Sequence, residues 1–296
     1  MRFRPLFVES LESRRVLAGN VTASIVNGEL RIVGDKSANW VEVRQIAGAD
    51  GTGRTFVVDG KPFNGGYNSA GDPVVGTADT RINGGAQAAV LVTPLDKLRI
   101  VMDDGNDVVE VGIANSTATL AGLVVQTGTG RDFVDIERVT MNGTQAPLFV
   151  HTGSDAEVQS ETVRLRQVAV TSQSMSVVTG GGNDRLLAVN LRSAGAANFN
   201  LGSGADTFDG VGVTFNNVAV NTGSSNERDT VHFSGLRATN VSLAMGGGND
   251  FINFRDNVRV TNRATLHGGS GFDTLSSGTG VVVNEVVKIS IEETTL

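Results

Sequence analysis

The stretch Met175-Ser176-Val177-Val178-Thr179-Gly180-Gly181-Gly182-Asn183-Asp184-Arg185-Leu186 decides the fold. Met175 and Val177 stand two residues apart before the glycines. Leu186 is the second residue after the aspartate. Period-two alternation on both sides predicts two short strands, each with one buried face. The Gly and Asn residues between them supply the positive φ angles that bulky side chains resist.

The same arrangement recurs. Closing aspartates stand at Asp107, Asp132, Asp155, Asp184, Asp206, Asp229, Asp250 and Asp273, spaced 25, 23, 29, 22, 23, 21 and 23 residues apart. Two residues after them come Val109, Val134, Glu157, Leu186, Phe208, Val231, Ile252 and Leu275, and seven of these eight are apolar. Third-strand candidates follow at Val139-Met141, Val163-Leu165, Val213-Phe215 and Val258-Val260. A unit this small cannot bury its apolar face alone, so the units must stack. No unit carries the 3.6-residue period of a helix. Propeller blades need about 40–45 residues, nearly twice this spacing. The pattern therefore predicts an all-β chain, a parallel β-helix (solenoid) with rungs of about 23 residues. The expected hand is right-handed. At roughly 4.8 Å per rung, seven spacings span about 34 Å.

The unit ending at Asp155 is irregular. Its turn is two residues short, and Glu157 occupies the inward position. It reads as a rung with a bulge or a projecting loop over 156–174. Four segments are expected along the chain. Residues 1–20 are set apart from the fold, and 21–97 form a β-rich N-terminal cap, open to antiparallel pairing. Residues 98–278 carry the β-helix repeats, and 279–296 supply capping strands, with Glu292 and Glu293 as charges against further stacking. Within the cap, Gly34 to Val43 looks like a degraded unit.

Composition narrows the function classes. The net charge is -7, which argues against a nucleic-acid binder, since such a partner demands surplus positive charge. Cysteine is absent, which excludes disulfides, thiol catalysis and cysteine metal sites. No run of 18 apolar residues exists, so no membrane span is expected. His151, His232 and His267 lie too far apart along the repeat to converge on one zinc ion.

Residues 1–20 carry +2, leaving -9 for the remainder. Their apolar residues are scattered, unlike the continuous core of a secretory signal. The string Phe7-Val8-Glu9-Ser10-Leu11-Glu12-Ser13-Arg14-Arg15-Val16-Leu17-Ala18 resembles the N-terminal FExLExRxLLA-type signature of planctomycete surface and secreted proteins. It departs from it at Val8, which separates Phe7 from Glu9, and at Val16, which replaces a Leu. The resemblance implies export, to the extracellular space or the cell surface.

The turns resemble the GGxGxDxUx repeats of RTX toxins. In that family turn carbonyls and the aspartate bind calcium between stacked turns. The resemblance places candidate Ca2+ ligands at Asp107, Asp132, Asp184, Asp206, Asp229, Asp250 and Asp273. RTX repeats are nine residues long and contiguous, whereas here one motif appears per rung. Asp229 closes a turn of the wrong length and is the weakest of the seven. Calcium suits such a turn, because it takes six to eight hard oxygens. The other reading is pure turn chemistry, with Asp accepting backbone N–H bonds, and in its favour Asn stands just before the Asp at Asn106, Asn183 and Asn249.

Two functions stay open. The first is a non-enzymatic structural or adhesive β-solenoid, with cell-envelope or extracellular polysaccharide or protein as its partner. The second is a carbohydrate-active β-helix enzyme, a polysaccharide lyase or glycoside hydrolase. Glu110 and Asp135 would share the outward position on adjacent rungs, at roughly the separation of a retaining carboxyl pair. Arg131 and Arg138 lie close in sequence. No GxSxG, HExxH or GxxxxGK[ST] motif is present.

Overall fold

A computed structural model describes residues 19–47, 54–85, 87–92, 97–112, 117–143, 148–154 and 158–295. Every regular element among them is a strand. Two long sheets dominate, one built from the strands before each glycine turn and one from the strands after it. In the first, Gly122–Gln126 pairs in parallel with Lys97–Val101 on one side and Leu148–His151 on the other. In the second, Phe133–Glu137 lies between Val108–Val111 and Thr162–Arg166, again in parallel. Parallel neighbours one coil apart in sequence make a β-solenoid, as the repeat predicts.

Inward positions form stacked columns, as the alternation demands. Phe208 stands opposite Val231, and Val231 opposite Ile252, and all three are buried. The seven apolar residues placed two after an aspartate all belong to one continuous core. Because each column touches the coils above and below, burial is cooperative along the rod.

From the coil of Val108–Val111 onward, each coil also turns a second corner, which the repeat does not announce. It is taken by a residue in the left-handed region: Gly112, Arg138, Gln167, Asn190, Gly212, Gly235, Asn257 and Gly280. After it comes the third strand. In early coils this strand is separate, as at Ala118–Leu120, Val139–Met141 and Ala169–Val170. In later coils it runs straight into the next pre-turn strand. Arg192–Asn200 and Arg259–His267 are single strands of nine residues. Their pairings shift register where the two parts meet.

The irregular rung is corrected. Asp155 and Glu157 lie outside the described residues. The place that aspartate takes elsewhere is filled by Glu161, since Thr162 stands opposite Phe133 and Arg185. Val163-Leu165 is therefore the post-turn strand of this coil and not a third strand. The segment 156–174 is no projecting loop, because Thr162–Arg166 and Ala169–Val170 run through it. Glu161 follows the end of its pre-turn strand at His151 by ten positions, where Asp184 follows Val178 by six.

At the N-terminal end, Glu29–Val33 and Trp40–Ala47 stack in register on Lys97–Val101 and Val108–Val111. The degraded unit is thus a coil. Antiparallel strands cover its edge, Asn20–Val26 on the first sheet and Arg54–Gly60 on the second. This shields an edge that would otherwise template aggregation. A further hairpin, Pro62–Tyr67 with Pro73–Asp79, lays Phe63 and Tyr67 on the outer faces of Trp40, Val108 and Phe133. At the C-terminal end Val282–Ile289 and Glu293–Thr295 extend the two sheets.

Candidate functional site

The turn between the two sheets places one carboxyl per coil. Asn39, Asp107, Asp132, Glu161, Asp184, Asp206, Asp229, Asp250 and Asp273 follow one another in coil order, and all are buried. They form a ladder: Asn39 brings an amide to the first place, and at each aspartate of the series the carboxyl accepts the backbone N–H of the residue at the same place one coil earlier. Asp107 Oδ1 accepts from Asn39 at 2.8 Å, and Asp132 Oδ1 from Asp107 at 2.8 Å. Asp184 Oδ1 accepts from Glu161 at 2.9 Å and Asp206 Oδ1 from Asp184 at 2.8 Å. The series continues through Asp229, Asp250 and Asp273 at 2.8, 2.8 and 2.9 Å. It closes on Glu292, whose Oε2 accepts from the Asp273 N–H at 2.7 Å.

All seven sequence-chosen aspartates are therefore brought into one column. Asp229 takes its place despite the longer turn. Three members escaped the sequence reading: Asn39, Glu161 and Glu292. Glu161 had a usable signal, since Val163 two residues on is the inward apolar residue. Glu292 had none, because Thr294 holds that place. Glu292 is a rung of the ladder, not merely a charge against stacking.

One oxygen of each of the seven aspartates is thus committed. The second, Oδ2, is buried without a protein hydrogen-bond partner in Asp107, Asp206, Asp229, Asp250 and Asp273. A buried carboxylate oxygen without a donor is costly, so the charged form is disfavoured. Burial pushes Asp107 up to about 9, with Asp132 beside it adding to the rise. Burial likewise raises Asp206 to about 8, Asp250 to about 7 and Asp229 to about 6.

The turn backbone adds a second column, of carbonyls. Gly204 has φ of +130°, and a Cβ there would lie 1.8 Å from the Gly182 carbonyl oxygen. The same approach recurs at Gly130 over Gly105 and at Gly271 over Gly248. These carbonyls precede their aspartates by two residues. Gly204→Ala is expected to cost about 2–4 kcal/mol, from left-handed strain plus overpacking. Denaturant unfolding measures it, and a loss below about 0.5 kcal/mol would mean the turns are looser than drawn. The asparagines complete the turns: Asn106, Asn183 and Asn249 Oδ1 accept from Arg131, Ala205 and Phe272 N–H at 3.0, 2.9 and 2.8 Å.

Among the described residues no three His, Asp or Glu side chains converge as a metal-ligand set. A cation at this edge would rely on Oδ2 together with turn carbonyls. That donor set is all hard oxygen, which suits calcium.

Glu110 and Asp135 do stand opposite each other on neighbouring coils. Each has a partner within the chain. Trp40 Nε1 donates to Glu110 Oε2 at 2.8 Å. Arg166 grips Asp135 at 2.6 and 3.3 Å and reaches Glu137 at 3.0 Å. Burial raises Glu110 to about 7, with the Trp40 bond opposing it. Arg131 is turned elsewhere, over the Tyr67 ring at 4.8 Å.

Residues 3–21 match a family model described as Planctomycete extracellular. That is a short N-terminal match, to the segment that carries the FExLExRxLLA-like string, and it makes this segment similar to those of extracellular proteins. No curated protein and no solved structure matches the chain. Among the described residues no helix is long and apolar enough to cross a membrane.

Proposed function

We propose that the protein is a non-enzymatic structural and adhesive solenoid of the extracellular surface, stabilised by calcium along its turn edge. The observation that supports calcium is the column of buried carboxyls, with the second oxygens of Asp107, Asp206, Asp229, Asp250 and Asp273 lacking a protein donor. Bound there, Ca2+ would neutralise adjacent carboxylates and take the turn carbonyls as further ligands. Asp107, Asp132, Asp184, Asp206, Asp229, Asp250 and Asp273 are the residues that would hold it. The fold, the match at residues 3–21 and the in-chain partners of Glu110 and Asp135 support the structural reading over the enzymatic one.

Asp184 and Asp155 separate calcium from turn chemistry. Asp184→Asn keeps the ladder acceptor but removes the charge, in a turn of full RTX-like length. It is expected to blunt the rise in melting temperature on adding calcium. Asp155→Asn is expected to leave that rise unchanged, because the ladder place in its coil belongs to Glu161. Equal responses from both variants and the parent chain would overturn the assignment.

A further inference from the structure

We propose that the outer face of the pre-turn sheet, across four coils from Ala196 to Thr265, binds a neutral oligosaccharide laid along the solenoid axis. This deepens the adhesive reading and rests on it, while using residues the turn edge does not.

The face is a groove of about 280 Å³. It lies where the later coils fuse third and pre-turn strands, beginning beside the register shift between Ser193 and Ala196. Two outward columns line it. The first runs Ala196, Asn217, Asn240, Arg263, in successive registered pairs. The second runs Asn198, Ala219, Ser242, Thr265. The inward residues between them, among them Val218 and Val241, belong to the core, so the sheet backs the groove rigidly. Four coils span about 14 Å at roughly 4.8 Å per coil, the length of a short oligosaccharide.

The chemistry of the lining selects the ligand. Ala196 and Ala219 are half-buried and leave small apolar patches where the C–H face of a sugar ring can rest. Around them stand groups that both donate and accept: the amide of Asn198 and the hydroxyls of Ser242 and Thr265. Asn240 Nδ2 donates to Asn217 Oδ1 at 2.8 Å, and Asn262 Nδ2 donates to Asn240 Oδ1 at 2.7 Å. These bonds fix the amide planes, and each Nδ2 keeps a second N–H for a hydroxyl. Pre-set side chains of this kind lower the ordering cost of binding. A polyanion finds a single cation here, Arg263, already paired with Glu285 at 2.9 Å. An apolar partner finds no continuous apolar surface. A chain of neutral hydroxyls matches the row of groups that donate and accept at every coil.

The test is calorimetric titration of the full chain, in calcium, with cellohexaose, laminarihexaose and maltohexaose, and with an oligogalacturonate as the acidic arm. At least one neutral hexasaccharide is expected to bind. Ala219→Arg fills the floor and is expected to weaken that binding by about tenfold or more. Asn198→Ala, at an exposed position that keeps the fold even if Ala219→Arg does not, is expected to weaken it several-fold. The proposal is overturned if no neutral probe binds at millimolar sugar, if only the acidic probe binds, or if Asn198→Ala binds like the parent. Loss of sugar binding with an intact calcium response overturns this groove alone. A flat calcium response with intact sugar binding overturns the calcium edge alone.

Discussion

In chelator, the melting temperature is expected to fall as pH rises from about 5 to 9, and millimolar calcium is expected to abolish that fall. An unfolded aspartate titrates near 3.9. In the folded chain burial raises Asp229 to about 6, Asp250 to about 7, Asp206 to about 8 and Asp107 to about 9. A raised folded value means the native state holds the proton more tightly than the unfolded one. The contribution is full below about pH 4 and is lost as pH climbs through the folded values. Each coil then carries an unneutralised buried charge next to the one above it. On the proposed reading, calcium would substitute for the proton. Binding to the folded state only, it would add about 2.7 kcal/mol per site at a hundredfold excess over Kd. Several sites along one edge make this the largest effect expected for the molecule. Thermal scans at pH 5, 7 and 9, with calcium and with chelator, measure it. Identical scans with and without calcium at pH 9 would leave the turns purely structural.

Phe208→Ala is expected to cost about 3–5 kcal/mol. Phe208 is fully buried on the inward face of the post-turn sheet. Its ring lies 4.9 Å from that of Phe199 on the opposite sheet and 5.2 Å from that of Phe233 on the next coil. Truncation removes both aromatic contacts and opens a cavity between two sheets that cannot close on it. Neighbouring coils share the column, so the loss should appear in a single cooperative transition. Denaturant unfolding checks it, and a loss below about 1 kcal/mol would mean the register of the coils is wrong.

The glycine–aspartate spacing was enough to place the seven aspartates on one edge. Three things hid from it. Glu161 was masked because Asp155 mimics the motif six residues early, and only the pairing of Thr162 with Phe133 and Arg185 exposes the substitution. Asn39 was masked because a 68-residue interval separates it from Asp107, filled by the antiparallel strands and the hairpin. The second corner was masked because Arg138 and Gln167 adopt a conformation that their type does not advertise.

Local chemistry by itself determined that this chain is a β-solenoid. Strand period, glycine turns and repeat length are all short-range properties, and each is written in consecutive residues. Only the tertiary structure decided what the aspartates face. Whether a carboxyl in a turn points to water or into the stack depends on the coil above it, some 23 residues away in sequence. Stacking buries these groups and gives one oxygen of each a backbone donor from the neighbouring coil. The second oxygen meets no protein donor at Asp107, Asp206, Asp229, Asp250 and Asp273. The groove between Ala196 and Thr265 has the same origin. Its alanines and amides are unremarkable in sequence, and only the registered pairing of four coils sets them side by side.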